Sequence, residues 1–528
     1  MNNSINKSDV LDIFELSTVQ KGMLYHHLKE LDDALYNVSL SLKITGQLSI
    51  ESLIRSFEYV QKNNEVLRSI FDWNKTNKPL QIILKECPLS IHYMDATNEE
   101  VDLELQLANQ KRDWNTRFEL SEVPFRVEII KMAADSHLLN IAHHHILYDG
   151  WSTGILLEEV FQYYHQLSNG QKPSLGQKSS YKDIQRSIRD ANNITDKAFW
   201  KDYLADYEAQ PMFPDTINRN VKATSNKVTL SAPFNTFDSF GAEHKLTKSS
   251  IIFSSFGLLL SKYLNTNDVV FGTTVSGRES GANGIEKVMG NFVNTIPMRL
   301  RTGEEDTLLD IIKNTQAELI ERIPYSGTAY YDIKKELNLN PTEELFDAVI
   351  VIENYPLDER LLQTDGHIKV ELNNVLEQTG IPLVVTVFFN ETLDIELNYN
   401  ADLFTQVEAI RLGVRLMNII SEMLANGEKN ACKLELATRD EKNIILNHFN
   451  NTFAEYPRES SVIDLFEAQV ERSGDDIAVS TSNSGISYYA LNNYANQIAE
   501  TLSSKGIDKV LLKWLRMIFF SSLVASSN

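Results

Sequence analysis

The chain has 528 residues, with 50 Lys plus Arg against 72 Asp plus Glu, a formal net charge of −22. That balance argues against a protein that wraps nucleic acid, which needs concentrated positive charge along the phosphates. Two cysteines, Cys87 and Cys432, argue against a disulfide framework and exclude a Cys-rich zinc site. The opening MNNSINKSDVLDIF lacks the charged start and apolar run of a signal peptide, and the apolar stretch 517–525 is too short to cross a bilayer. A soluble, cytoplasmic, monomeric protein without membrane or nucleic-acid partners is therefore expected.

In chain order, Leu16, Val19, Gln20, Met23, Leu24 and His27 recur at three- and four-residue steps and predict a helix over about residues 9–31. Residues 40–44 alternate as a strand. Residues 49–63 read as an amphipathic helix carrying Leu53, Phe57 and Val60, and 125–131 as another strand. Residues 138–142 look like a buried strand. Ser152 is a plausible N-cap for a helix striped by Ile155, Leu156, Val160, Phe161 and Tyr164. Residues 143–151 thus fall on a strand-to-helix loop, where side chains can leave the core and face a cavity. The segment NGQKPSLGQKSS, 169–180, reads as a linker between two lobes. Helices are predicted over 181–204, 249–264 and 407–424, and strands over 269–275, 346–353, 382–390 and 393–399. A polar boundary covers 426–460, a globular pattern resumes over 462–502, and the 510–528 tail has no clear continuation. Strands and helices mix in both lobes, so the class is α/β or α+β.

The chemistry concentrates at His143, His144 and His145, followed by Asp149 and Gly150. Neighbouring side chains on a strand point to opposite faces, so three consecutive histidines make a poor metal cluster, and no other ligand stands out. No metal is expected. Histidine exchanges a proton near neutral pH without a large shift, and glycine lets backbone approach a substrate closely. A helix starting near Trp151 would aim N–H groups at the same cavity. The plainer reading, polar residues satisfying a buried turn, stays open on these residues alone.

The segment HHILYDG, 144–150, fits the HHxxxDG motif and resembles the condensation domains of nonribosomal peptide synthetases, a superfamily similar to chloramphenicol acetyltransferase. Other stretches match that family in order. LSTVQKGMLYHHL (16–28) resembles its opening motif and NNEVLRSIF (63–71) its second. Tyr181 and Asp183 resemble the fourth, MGNFVNTIPMR (289–299) the fifth, and FDAVIVIENYP (346–356) a late core strand. The second motif usually begins Arg-His. Here Asn63 and Asn64 stand there, so any ion pair of that arginine is absent. SVIDLFEAQVERSGDDIAVS and the ISYYALN that follows resemble the start of an adenylation domain, a likeness that stops near Asp508 and suggests a truncated or frame-shifted module.

The resemblance implies two acetyltransferase-like lobes, 9–175 and 176–430, forming a V-shaped pseudo-dimer around a tunnel. A linker (431–460) and an adenylation fragment with an atypical tail (461–528) would follow. Donor and acceptor peptidyl carrier proteins of other synthetase modules would deliver thioesters on phosphopantetheine arms; the domain itself would bind no cofactor. It implies catalysis by His145 as base or orienting group, with the Gly150 N–H a candidate oxyanion donor. Asp149 would pair with an arginine, here Arg278 in VSGR, with His144 supporting the loop. Trp151 and Asn294 would line the tunnel. An epimerisation domain and a non-catalytic carrier-docking module are the rival readings.

Overall fold

The computed structural model describes residues 6–29, 35–74, 78–97, 116–174, 176–191, 195–208, 212, 225–232, 236–278, 282–340, 343–353, 367–377, 380–389, 392–481 and 484–506. The chain divides into two compact units, Met1–Leu436 and Ala437–Asn528. Strands of the first unit are β1 (Val10–Glu15), β2 (Asn37–Gly46), β3 (Ser69–Asp72), β4 (Leu80–Leu84), β5 (Ile91–Asp95), β6 (Phe125–Ala133), β7 (Ser136–His144), β8 (Ser225–Ala232), β9 (Asp268–Val275), β10 (Asn294–Arg301), β11 (Ala348–Glu353), β12 (Ile368–Glu377), β13 (Leu383–Phe389) and β14 (Leu393–Asn400). They build two large mixed sheets, each carrying helices, and one small three-stranded sheet, β1-β4-β3.

The first large sheet has the order β12-β2-β7-β6-β5. Its strands follow from period-two burial: Leu40, Leu42 and Ile44 of β2 point inward, with less buried residues between them. The helix Ile50–Asn63 covers it. Ser49 caps that helix by accepting the Ser52 N–H, and Leu53, Phe57 and Val60 face the core. The second sheet has the order β10-β9-β11-β13-β14-β8, with β11 parallel to both neighbours. The helix Lys248–Leu264 is buried along nearly its whole length, and the helix Gln406–Ala425 packs beside it. A helix apolar all round belongs inside a core, which is why its pattern shows no clear stripe.

Seven strands of the first unit depart from the sequence reading: β3, β4, β5, β8 and β10 are not named in it, β1 falls in a predicted helix, and β12 falls where nothing was predicted. Residues 10–15 are strand β1, not the start of a helix; the helix begins only at Thr18 and runs to Lys29. Val10, Leu11, Ile13 and Phe14 suit either period, and antiparallel pairing with β4 decides the outcome. β12 was not expected at all. Its sequence, IKVELNNVLE, buries only Ile368 and Val370, and its order comes from backbone pairing with β2. β12 also breaks a division at residues 175/176, because it comes from the second half of the chain yet forms the edge of the first sheet.

The expected 431–460 linker is shorter at its start. Ala431 and Leu434 are buried in the second lobe's core, so chain packing continues past residue 430. In the second unit, a capping box of Ser461 and Asp464 starts the helix Val462–Ser473. A hairpin of Ile477–Ser480 with Gly485–Ser487 and the helix Tyr488–Ser504 follow. The 510–528 tail lies outside the described residues.

Gly46 ends β2 with φ 110°, and a Cβ there would lie 2.2 Å from the His367 carbonyl oxygen, where β12 begins. Gly46→Ala is expected to destabilise the first unit by ~1–3 kcal/mol, the usual cost of forcing a side chain into that backbone region, read as a lower melting temperature. An unchanged melt would mean that β12 is not seated on β2 at this end.

Candidate active site

β7 delivers the three histidines in alternation. His143 lies in register with Val38 of β2 and Phe125 of β6, and its ring stacks on Tyr148 at 3.7 Å. His144 turns the other way: its Nδ1 accepts the Ile146 N–H at 3.1 Å, and its ring meets His27 edge-on at 5.3 Å. Both are buried. Burial, with smaller repulsion from neighbouring histidines, holds the His143 and His144 pKa values well below the ordinary range. Burial, then the Arg117 charge, lowers His27 to about 4.

His145 differs. Its backbone is gripped from both sides: the N–H donates to the Tyr36 carbonyl at 2.7 Å, and the carbonyl accepts from Asn291 Nδ2 at 2.6 Å. The side chain stays 16% exposed, with Nε2 3.6 Å from Glu377 Oε1. Nδ1 is enclosed and has no hydrogen-bond partner among the described residues. Of the two ring nitrogens, Nε2 is the one that faces a charged side chain.

Asp149 organises the loop. It, rather than Ser152, is the N-cap of the helix Gly150–Ser168: Oδ1 accepts the Ser152 N–H at 3.0 Å and its Oγ–H at 2.8 Å. An aspartate at this position accepts the helix's unpaired N–H groups better than the serine three residues on. Oδ2 accepts the Phe292 and Val293 N–H groups at 2.9 and 3.2 Å. Arg278 completes the carboxylate's shell, with Nη1 2.8 Å from Oδ2 and Nη2 3.3 Å from Oδ1. The guanidinium also donates to Ser152 Oγ and the Val288 carbonyl, and lies against the Trp151 and Phe292 rings. Gly277, at φ 66°, brings Arg278 in, since a Cβ there would stand 2.0 Å from the Phe292 carbonyl oxygen.

The sequence 289–293 thus clasps 144–152. Asp149 N–H donates to the Gly290 carbonyl at 3.1 Å, and Ser152 Oγ bridges both the N–H and the carbonyl of Gly290. Trp151 is 36% exposed, donating to the Glu286 carbonyl. Asn294 is buried, and its amide donates to the Ser326 and Thr328 carbonyls at 2.9 and 2.7 Å, which leaves only Oδ1 for any other partner. Gly150 is half-buried as the first residue of its helix.

Sequence reading missed three contributors. Glu377 sits on the unexpected β12 and has no local signal, and Asn291 lies within MGNFVNTIPMR but was not singled out there. Lys178 looked like linker. It pairs with the mostly buried Glu159 and donates to Asn64 Oδ1 at 2.7 Å, while Asn63 and Asn64 donate to the same carboxylate. A cation from the 169–180 segment thus shares the Glu159 carboxylate with Asn63 and Asn64. Among the described residues, no group of three or more His, Cys, Asp and Glu side chains could hold a metal ion, and no helix is long and apolar enough to cross a membrane.

Two sheet-bearing lobes of mixed α/β structure are the fold of condensation domains. The family model "Condensation domain" matches residues 10–446, and the chain belongs to that family, the amide-forming acyltransferases of nonribosomal peptide synthesis. It is 31% identical to bacitracin synthase 1 of Bacillus licheniformis over 514 residues, which is 94% of this chain and 10% of that protein. It is 28% identical to surfactin synthase subunit 2 of Bacillus subtilis, over 96% of this chain and 14% of that subunit. The chain thus spans about a tenth of the length of such relatives. Its fold is similar to that of a four-domain nonribosomal peptide synthetase bound to AMP and glycine, with TM-score 0.76, 21% identity, and coverage of 96% and 40% of the two chains. It is also similar to the first condensation domain of the CDA synthetase, with TM-score 0.66, 16% identity, and coverage of 81% and 100%.

The four buried histidines, His27, His137, His143 and His144, each held below the ordinary range by burial, make stability depend on pH. Each is neutral in the folded chain and protonates near pH 6.5 when unfolded, so stability is lost as pH falls from about 6.5 toward 4, by about 1.4 kcal/mol per pH unit for each proton bound only by the unfolded chain. The urea midpoint is expected to drop between pH 7 and pH 5, and less so in His27→Phe. Equal midpoints at both pH values would contradict neutral burial.

Proposed function

We propose that this chain joins a carrier-bound acyl or peptidyl thioester donor to a carrier-bound aminoacyl acceptor, with His145 at the reaction centre. The observation that supports this most is the contrast among the three histidines: two are buried and held neutral, and one is gripped by its backbone with Nε2 left partly open. The acceptor amine attacks the thioester carbonyl carbon. As the C–N bond forms, the amine proton passes to His145 Nε2; as the C–S bond breaks, the departing pantetheine sulfur takes a proton. The N–H of Gly150, one of the four at a helix start that no helix carbonyl serves, is the donor we assign to the oxyanion. Asp149 and Arg278 hold the loop without reacting, and His144 packs beneath it. Trp151 covers Arg278 at the rim of the substrate passage, and Asn294 fixes its wall.

The substrates arrive on phosphopantetheine arms, and the partners are donor and acceptor peptidyl carrier proteins within a multimodular synthetase of the cytoplasm. In this reading residues 9–175 and 176–430 are the two lobes, with β12 exchanged between them. Residues from 461 onward begin an adenylation domain, a proposal supported by the reach of the curated relatives' similarity over 94–96% of the chain.

The test is product analysis with two loaded carrier proteins by intact-protein mass spectrometry. Dipeptide is expected on the acceptor carrier. His145→Ala should cut its formation by ~10²–10⁴-fold, the usual contribution of general base catalysis, with an unchanged circular dichroism spectrum. Racemisation of the loaded residue without dipeptide, or carrier binding without turnover, would overturn the proposal in favour of an epimerase or a docking module.

A further inference from the structure

Glu377 stands out beside His145. It is the last residue of β12, in register with Val38 of β2, which is itself in register with His143 of β7. Two backbone registers therefore fix its position over the histidine loop. Its carboxylate is 39% exposed, and Oε1 lies 3.6 Å from His145 Nε2. That distance is too long for a direct hydrogen bond but suits two acceptors sharing one guest. A single tetrahedral nitrogen about 2.9 Å from each would reach both, with two of its N–H bonds pointing in different directions. One acceptor is an imidazole nitrogen and the other a carboxylate, so the pair favours a cationic, multiply donating guest.

We infer that Glu377 and His145 together form the seat of the acceptor's α-ammonium, with Glu377 supplying the charge and His145 the base. The inference rests on the condensation reading above and identifies the chemistry of its acceptor side. An α-amino group titrates near about 7.7–8.0, so much of it arrives protonated and must lose a proton before it can attack. Seated between the two groups, the ammonium loses one proton to water on the exposed Glu377 side, which leaves a neutral amine. His145 Nε2, still unprotonated, takes the second proton as the C–N bond forms, and the resulting imidazolium lies beside the Glu377 carboxylate. Glu377 thus contacts the acceptor and selects an amine over a neutral group of similar shape. Its position on an exchanged strand ties acceptor binding in the first lobe to a segment of chain from the second.

The experiment measures binding of glycyl-aminopantetheine, a stable amide analogue with a free α-amine, and of its N-acetyl counterpart to the full chain by calorimetry. Wild type is expected to prefer the free amine by at least ~10-fold, in line with charge-assisted pairing. Glu377→Gln should reduce that preference to about twofold or less, and Glu377→Asp, which keeps the charge on a shorter arm, should restore part of it. Neither variant alters a buried residue, and the N-acetyl analogue reports whether the site itself persists. An unchanged preference in Glu377→Gln, or no preference in wild type, overturns the inference. Dipeptide formation is read separately. A chain that prefers the amine but makes no dipeptide would sink the proposed function and leave the ammonium seat standing. A chain that makes dipeptide with no role for Glu377 would do the reverse.

Discussion

The buried pair of Asp149 and Arg278 is the constraint on which the site depends. Both groups are out of water, and a lone charge there would be expensive; removing one partner of such a pair typically costs ~3–5 kcal/mol. The carboxylate offsets its burial by accepting from Arg278, from Ser152 twice, and from two backbone N–H groups of the facing loop. One side chain therefore does three jobs. It caps the helix Gly150–Ser168, neutralises Arg278, and stitches 144–152 to 290–293. The motif asparagine beside it, Asn291, finishes the arrangement by gripping the His145 carbonyl. His145 is held by its backbone, so its ring can remain open without becoming mobile.

The three histidines show how one short motif separates roles by strand geometry. Alternation sends His143 and His144 into the core on opposite faces, where burial keeps them uncharged and fixes the strand end. His145 follows β7, leaves the ladder, and keeps its side chain partly exposed. A polar triplet that would be costly in a core is tolerated because two of its members remain neutral.

Much of this was legible in the sequence. Alternation gave β2 and β6, a buried apolar run gave β7, and the apolar faces of the helices at 50–63 and 150–168 were read from their spacing, although the cap of the latter is Asp149 and not Ser152. The HHILYDG segment pointed to His145 and Asp149, and the resemblance together with VSGR pointed to Arg278 as the partner of Asp149, before any contact was known. What stayed hidden depends on long-range pairing. β1 has apolar residues that fit two periods, and only β4 selects one. β12 is mostly polar and exists because β2 offers an edge, so Glu377 carried no local signal. Lys178 lies in a stretch whose composition reads as linker, yet it pairs with a mostly buried glutamate. Asn63 and Asn64 looked like a loss of charge, yet both donate to the Glu159 carboxylate that Lys178 also pairs with.

A double-mutant cycle between Asp149 and Arg278 tests the central claim most directly, with unfolding free energy and dipeptide formation measured on Asp149→Asn, Arg278→Met and the double variant. If the pair holds the loop, each single change lowers both quantities and the double change adds little, a coupling of about 1.5 kcal/mol or more within the range seen for contacting residues. Losses that simply add, or singles that leave turnover intact, would mean that the loop presents His145 without the pair.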